Sequence, residues 1–435
     1  MKPKPDISMT RKALYFIVAV LLLIVTLELL AFVTLRATTD GFSLSGSRRF
    51  RSRILDKEDT EVFNRPSSIV LHPYLGFVYT PEDNNEERTA HHGGLPITEY
   101  GFLDDGPPLR VAEEDTVVIG IFGGSVAYEF SVHGTKSLVE QLAASEFFRG
   151  KEFSFVRVAL GGYKQPQQIL ALTYLLTLGA HFDIVINLDG FNEATLPLIN
   201  NVSNNVAPYF PRNWHWLAAR TLSHEAKASI GELTRLRSGR TRYAATFNAP
   251  IIRASYLANL IWHTLDDGLS EQIAAEQNVL TATRESRAKE FEVTGPPYDS
   301  NSVPGLFKDL AAYWKESSIQ MNRICRANGI EYWHFLQPNQ YLPESKNLSH
   351  EEHQIAYKEN SPFKRAVESG YPLFRLSGEE LAETGIRFHD MTQVFKGVGE
   401  TLYQDDCCHM NVTGQAILGE AIGARMVRDL QGWQQ

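Results

Sequence analysis

The hydrophobic pattern changes character several times along this chain. Residues 13–33 (ALYFIVAVLLLIVTLELLAFV) are apolar almost without interruption, with Glu28 as the single charge. A helix of that length crosses a hydrocarbon core of roughly 30 Å. The run continues into Thr34, Leu35 and Arg36 with no small-residue cleavage site, so it reads as an uncleaved signal anchor behind a short tail, residues 1–12. Glu28, near the far end, reads as snorkelling toward the interface or as a polar contact with a membrane partner. Residues 34–65 are polar and basic without a clear period, which suits a stalk. Residues 66–115 carry the Gly, Pro and aromatic residues of short strands and turns, and form an N-terminal elaboration of the domain that starts near residue 116.

From residue 116 onward, short β-branched runs alternate with helix-length segments. Residues 116–122 (TVVIGIF), 153–159 (FSFVRVA) and 182–188 (FDIVINL) are expected strands, with helices over 135–148 and 166–178 between them. A fourth strand is expected at 330–336, a fifth at 385–391 and a closing helix at 412–430. Such alternation predicts an α/β domain over 116–435, a five-stranded parallel sheet with helices on both faces. Residues 197–309 break the rhythm with helix-like stretches only, and read as a helical insertion.

Charge narrows the class further. The chain of 435 residues has 42 Lys and Arg against 51 Asp and Glu, a net −9, and no basic run with interleaved aromatics. Nucleic acid is therefore not an expected partner. Basic residues flank the apolar run on both sides: Lys2, Lys4, Arg11 and Lys12 before it, Arg36, Arg48, Arg49, Arg51 and Arg53 after it. Long domains translocate largely regardless of charge, so the expected orientation keeps the tail inside and the large domain outside.

The chemistry gathers at strand ends. The first strand runs into Gly123-Gly124-Ser125, the second ends in Gly161-Gly162-Tyr163, and the third in Asp189-Gly190-Phe191-Asn192-Glu193. In a parallel sheet all three lie on the carboxyl rim, where ligands bind. Ser125 is then a candidate nucleophile. The N–H groups of Ser125 and Gly162, with Gly161 as the rival, and the amide of Asn192 are candidate oxyanion donors. Neither the Walker lysine nor a dinucleotide glycine spacing is present. Before the last helix comes Asp405-Asp406-Cys407-Cys408-His409, in which an acid three residues ahead of a histidine, Asp406, can orient His409 as a base.

With these four blocks in this order the chain resembles the SGNH hydrolase family, the GDSL-like esterases and acyltransferases. Gly-Gly-Ser stands for Gly-Asp-Ser, Gly190-Phe191-Asn192-Glu193 for Gly-x-Asn-Asp, and Asp406-Cys407-Cys408-His409 for Asp-x-x-His. More narrowly it is similar to membrane-anchored bacterial members linked to exported polysaccharides. The resemblance implies a three-layer flavodoxin-like fold on a single-pass inner-membrane anchor, with the catalytic domain in the periplasm. It implies a Ser125–His409–Asp406 esterase acting on O-acyl, especially O-acetyl, esters of extracytoplasmic carbohydrate. An acyltransferase of an exported polysaccharide, or a non-catalytic protein that binds polysaccharide or organises a membrane assembly, is the alternative; a lipid esterase is a third.

Other residues add detail. Gln337, Asn339 and Gln340 follow the fourth strand and are candidates for polar substrate contacts. Tyr209, Phe210, Trp214 and Trp216 read as aromatic packing in the core, with stacking on sugars or contact with the membrane surface as the alternatives. Cys325 is too far along the sheet to bridge Cys407 or Cys408, whereas a strained bridge between those two neighbours stays open. No cofactor or metal is expected. His91-His92 and the His350-Glu351-Glu352-His353 run read as solvated residues, and His224-Glu225 lacks a second histidine at ligand spacing.

Overall fold

The structure, a computed structural model, describes residues 9–39, 42–56, 69–81, 94–218, 224–287, 290–299 and 302–432. The tail before residue 9 and the pair His91-His92 lie outside the described residues. The chain opens with helices α1 (Met9–Thr38) and α2 (Leu44–Asp56), followed by a hairpin, β1 (Ile69–His72) and β2 (Gly76–Tyr79). Strand β3 (Thr116–Gly123) leads into α3 (Ser125–His133) and α4 (Thr135–Ala143), β4 (Glu152–Ala159) into α5 (Gln167–Thr177), and β5 (Ile184–Asp189) into α6 (Phe191–Leu196). Two long helices, α7 (His224–Phe247) and α8 (Tyr256–Arg287), precede α9 (Val303–Ala327), β6 (Glu331–Leu336), α10 (Pro362–Glu383), β7 (Arg387–Asp390) and α11 (Val412–Gly432).

The chain divides into two compact units, Met1–Arg65 with Thr221–Arg287, and Pro66–Arg220 with Ala288–Gln435. The second is α/β. Its main sheet has five strands, all parallel, in the order β4-β3-β5-β6-β7. The central strand β5 is buried at every position, the state that its unbroken apolar run requires. Chain order reverses beside β3, which pairs with β4 on one side and β5 on the other. Right-handed crossovers in opposite directions carry the connecting helices to different faces. Accordingly α11 packs on α3 and α4, while α9 packs on α5 and α10.

The elaboration at 66–115 belongs to this unit. Its hairpin register runs Ile69 to Tyr79 and His72 to Gly76. The Tyr163 hydroxyl donates to the Phe77 carbonyl at 2.6 Å, and the buried Asp104 carboxylate accepts from the Arg157 backbone at 3.0 Å and its guanidinium at 2.7 Å. Of the aromatic cluster, Tyr209 stacks on Tyr313 at 4.0 Å and the Trp214 indole donates to the Glu292 carbonyl at 2.7 Å, while the Trp216 side chain lies outside the described residues.

The first unit is helical. The helical stretch expected over 197–309 is divided between the units: residues 197–218 and 290–299 fall in the α/β unit, and 224–287 in the helical one. Within the expected stalk, 34–65, α1 runs on to Thr38 and α2 packs on α7 and α8. The period of α2 escapes detection because its most buried side chain is a charged one. The Arg51 guanidinium lies 4.6 Å over the Trp262 ring and donates to Asn259 at 2.9 Å. Between α7 and α8, Leu233, Leu236, Ile273 and Leu280 form an apolar seam, and Arg240 grips Asp266 with two hydrogen bonds of 2.7 and 2.9 Å.

Within α1, residues 11–38 are long and apolar enough to cross a membrane. Side chains from Arg11 to Leu27 are exposed around its circumference, and a buried stripe begins at Ala31 and Leu35, against α8. Glu28 lies at the foot of that stripe. Its carboxylate accepts from the Ser255 hydroxyl and from the Tyr256 and Leu257 N–H groups at 2.6 and 3.4 Å. The polar contact of Glu28 is thus within the chain, capping the N-terminus of α8.

One contact aligns the two helices that flank the site. A Cβ on Gly419 of α11 would stand 2.1 Å from the carbonyl oxygen of Gly134, where α3 ends and α4 begins. Gly419→Ala is expected to push α11 off this corner at a cost of about 1–3 kcal/mol. The measurement is the urea midpoint, which should fall at unchanged m-value.

Candidate active site

Ser125 is the first residue of α3, directly after β3, so its N–H is one of the helix's unsatisfied donors. Two glycines are needed to deliver it there. Gly123 has φ +149° and approaches the Leu188 carbonyl so closely that a Cβ would stand 2.2 Å from it. At Gly124 a Cβ would fall 2.1 Å from the amide nitrogen of Asn192, so the glycine makes room for that side chain beside Ser125. Asn192 is held by donating to the Tyr163 carbonyl at 2.7 Å. The Gly161 N–H faces the Tyr79 hydroxyl, while the Gly162 N–H has no partner among the described residues. Gly162 is thus the glycine left with a donor to offer.

His409 comes from the loop between β7 and α11. Its Nε2 lies 2.7 Å from Ser125 Oγ. Behind it the expected carboxylate is the wrong one of two: Asp405, not Asp406, meets Nδ1, at 2.5 Å. The reason is local backbone geometry. Residues 405–408 form a tight bend, and Asp405 Oδ1 accepts the N–H groups of Cys407, Cys408 and His409 at 3.0, 3.0 and 3.2 Å, leaving Oδ2 for the imidazole. Asp406 turns outward and pairs with the exposed Lys358 at 2.8 Å.

Electrostatics follow from this turn. Burial favours neutral Asp405, but the His409 hydrogen bond and charge and the backbone N–H groups outweigh it and hold the carboxyl down to about 2. For His409, burial disfavours the charged ring, yet Asp405 and then the Glu129 carboxylate raise it to about 9. Glu129 itself is pushed up by burial and accepts a hydrogen bond from Gln415 at 3.2 Å.

The residues expected to touch substrate serve another purpose. Gln337, Asn339 and Gln340 are buried. Asn339 donates to the Cys407 carbonyl at 3.0 Å and Gln340 to those of Ala356 and Asp405 at 3.0 and 2.9 Å, so both brace the His409 loop from beneath. Gln337 has its backbone N–H on the Asp189 carbonyl at 2.9 Å. Glu352, expected in a solvated run, is also buried. It accepts from Lys346 at 2.7 Å and from the N–H groups of Leu402 and Tyr403 at 2.9 and 3.0 Å, fixing the approach to the bend.

Two further carboxylates tie the rim together. Glu193 accepts from the Gly190 N–H at 2.8 Å, the Gln165 N–H at 3.1 Å and the Gln168 amide at 3.0 Å, joining the loops that carry Asn192 and Gly162. Burial, with the charge of Asp189 beside it, pushes Glu193 above the ordinary carboxylate range. Asp189 takes the Trp314 indole at 2.7 Å, the His334 ring at 2.8 Å and the Asn187 amide at 2.8 Å. Acidic residues following an apolar strand were the available signal; their partners on distant elements were not.

All three cysteines are free thiols, with Cys325 buried and the Cys407 and Cys408 sulfurs 3.2 Å apart. Cys407, Cys408 and His409 place donor atoms within 4.8 Å of one another, but a metal there would have to take His409 from Ser125 or Asp405. Burial, then Cys407 alongside, also pushes the Cys408 thiol well above its usual range, against the thiolate that a metal needs.

No protein-family model matches this chain, and no curated protein matches its sequence. The site is defined by the geometry of Ser125, His409 and Asp405. That geometry can activate a serine hydroxyl with a histidine base and surround the resulting oxyanion with N–H donors.

The two acids are distinguishable by titrating His409 through NMR of labelled histidines. Asp405→Asn removes the charge that most favours the imidazolium, so the His409 pKa should fall from about 9 toward its ordinary value near 6.5, with Glu129 still opposing burial. Glu129→Gln should lower it by a smaller step, and Asp406→Asn should leave it in place.

Proposed function

We propose that the protein is a serine ester hydrolase of the SGNH type. The observation that carries this reading is the alignment of Ser125 Oγ, His409 and Asp405 in one hydrogen-bonded line. Strand order supports it as well: numbered within the sheet it is 2-1-3-4-5, the order of flavodoxin-like folds, with Ser125 at the carboxyl end where the order reverses. In neutral His409, Nδ1–H donates to Asp405 and Nε2 accepts the Ser125 proton as Oγ attacks the ester carbonyl carbon. The oxyanion is held by the N–H groups of Ser125 and Gly162 and the Asn192 amide. Collapse breaks the ester C–O bond, and His409 returns the proton to the departing alcohol. Water, deprotonated by the same histidine, then cleaves the acyl-enzyme to the free acid and regenerates Ser125.

The length and hydropathy of α1 support a single-pass anchor; the orientation proposed with it puts the α/β unit outside the cytoplasm, because long domains translocate largely regardless of flanking charge. O-acyl, especially O-acetyl, esters of extracytoplasmic carbohydrate are the proposed substrates, on the strength of the resemblance in the four motif blocks.

The test is hydrolysis of p-nitrophenyl acetate and longer acyl esters by the detergent-solubilised full chain. Ser125→Ala should lower kcat/KM by roughly four to six orders of magnitude, and Asp405→Asn by about 10⁴-fold. Asp406→Asn should stay within about fivefold of wild type, as for loss of an exposed ion pair. Equal rates in wild type and Ser125→Ala would sink the hydrolase reading, and a profile rising with acyl length would move the substrate to lipids.

The pH profile has a definite sign. The base must be neutral, and His409 is held up to about 9, so kcat/KM should rise about tenfold per unit through neutral pH and level off near that value.

A further inference from the structure

The helical unit carries an apolar tip whose position along α1 can be read from hydrogen bonds. The turn between α7 and α8 holds Pro250, Ile251 and Ile252, followed by Arg253. Ile251 is 88% exposed, and among the described residues no large apolar side chain is more so. Water is a poor surrounding for such a tip.

The start of α8 is pinned to Glu28 through Ser255, Tyr256 and Leu257. Beyond that point the two helices leave in the same direction. Tyr256 packs on Phe32 at 5.0 Å, and the α1 side chains buried against α8 are Ala31 and Leu35, beyond Glu28, whereas those before Glu28 are exposed. The α7–α8 turn therefore lies on the side of Tyr256 that faces the exposed apolar length of α1. Glu28 is five residues short of Val33, where the apolar run ends, so at 1.5 Å per residue the cap sits about 8 Å inside the run. That is the depth at which an apolar surface element rests between headgroups and acyl chains. Leu29, Leu30 and Val33, at the same level on α1, are themselves exposed.

We propose that the turn at residues 249–252 is a second membrane-contacting element, seated in the leaflet that α1 enters next to the folded part of the chain, with the bilayer as its partner. Ile251 and Ile252 enter the acyl boundary, and Arg253 beside them extends its guanidinium along the apolar surface toward the headgroups. The inference rests on the anchor reading of α1. It gives that anchor a second foot, which limits rotation of the helical unit about the membrane normal. Glu28 is then the joint between the two.

The experiment uses the full chain in phosphatidylcholine–phosphatidylglycerol vesicles, with an environment-sensitive fluorescent amino acid encoded at position 251 or, as comparison, at the exposed Gln272 higher on α8. Position 251 should emit to the blue, lose emission to nitroxide-labelled phosphatidylcholine and resist aqueous iodide; position 272 should do the reverse. Chain that floats with the vesicles after carbonate washing, yet is quenched by iodide at 251 as at 272, overturns the second foot and leaves the anchor standing. Chain stripped by carbonate overturns both. Ile252→Asp should shift the probe at 251 toward the aqueous behaviour without releasing the chain from the vesicles.

Discussion

The Asp405 carboxylate is the constraint on which the site turns. One oxygen takes three consecutive backbone N–H groups and the other takes the His409 ring, so a single ionised group shapes the bend and sets the tautomer. Hydrogen bonds to a charged acceptor contribute roughly 1.5–3 kcal/mol each, enough for four of them to define a turn that has no regular secondary structure of its own. The supports beneath it are of the same kind. Asn339 and Gln340 hold carbonyls of the loop, and Glu352 holds its approach, so both polarities of this short backbone are satisfied by buried side chains. A loop fixed in this way can present Nε2 to a serine some 280 residues earlier in the chain.

On the other side of that contact the sheet does the positioning. Parallel pairing puts Gly123, Ala159 and Leu188 in one row, so the segments that follow emerge side by side at the carboxyl rim. Their separation is then set by van der Waals limits: Gly123 against the Leu188 carbonyl and Gly124 against the Asn192 amide. Glu193 links the neighbouring loops by taking donors from both. The result is a rigid rim built from short-range contacts, with the flexible chemistry confined to two side chains, Ser125 and His409.

This division explains what could be read from the sequence. Strands β3, β4 and β5 announce themselves because strands buried on both faces need continuous β-branched and aromatic residues, and the glycines that close them mark where backbone must pass backbone. Ser125 and Asn192 follow from their positions at the ends of such runs, and His409 from the acidic pair that precedes it just before the last helix. Asp405 does not, because two adjacent acids are equivalent until the bend decides which one has N–H groups to bind. Gln337, Asn339 and Gln340 lie where a rim-facing loop was expected, but residue type does not say whether an amide faces solvent or a neighbouring carbonyl. In α2 the buried position is an arginine over tryptophan, which no hydrophobic periodicity records.

Glu28 shows the same principle in a less polar setting. A carboxylate within an apolar run costs about 2.5–3.5 kcal/mol near mid-membrane, and less toward the interface. Here it sits toward one end of the run and accepts N–H groups that would otherwise be unsatisfied at the start of a 32-residue helix. Such an N-cap contributes about 0.5–2 kcal/mol, and the positive end of the helix dipole adds to it. The charge in α1 and the free end of α8 each offset the liability of the other. This joint also fixes the height of α8 against α1, because a shift by one helical turn would separate Glu28 from the only donors that satisfy it in the described structure.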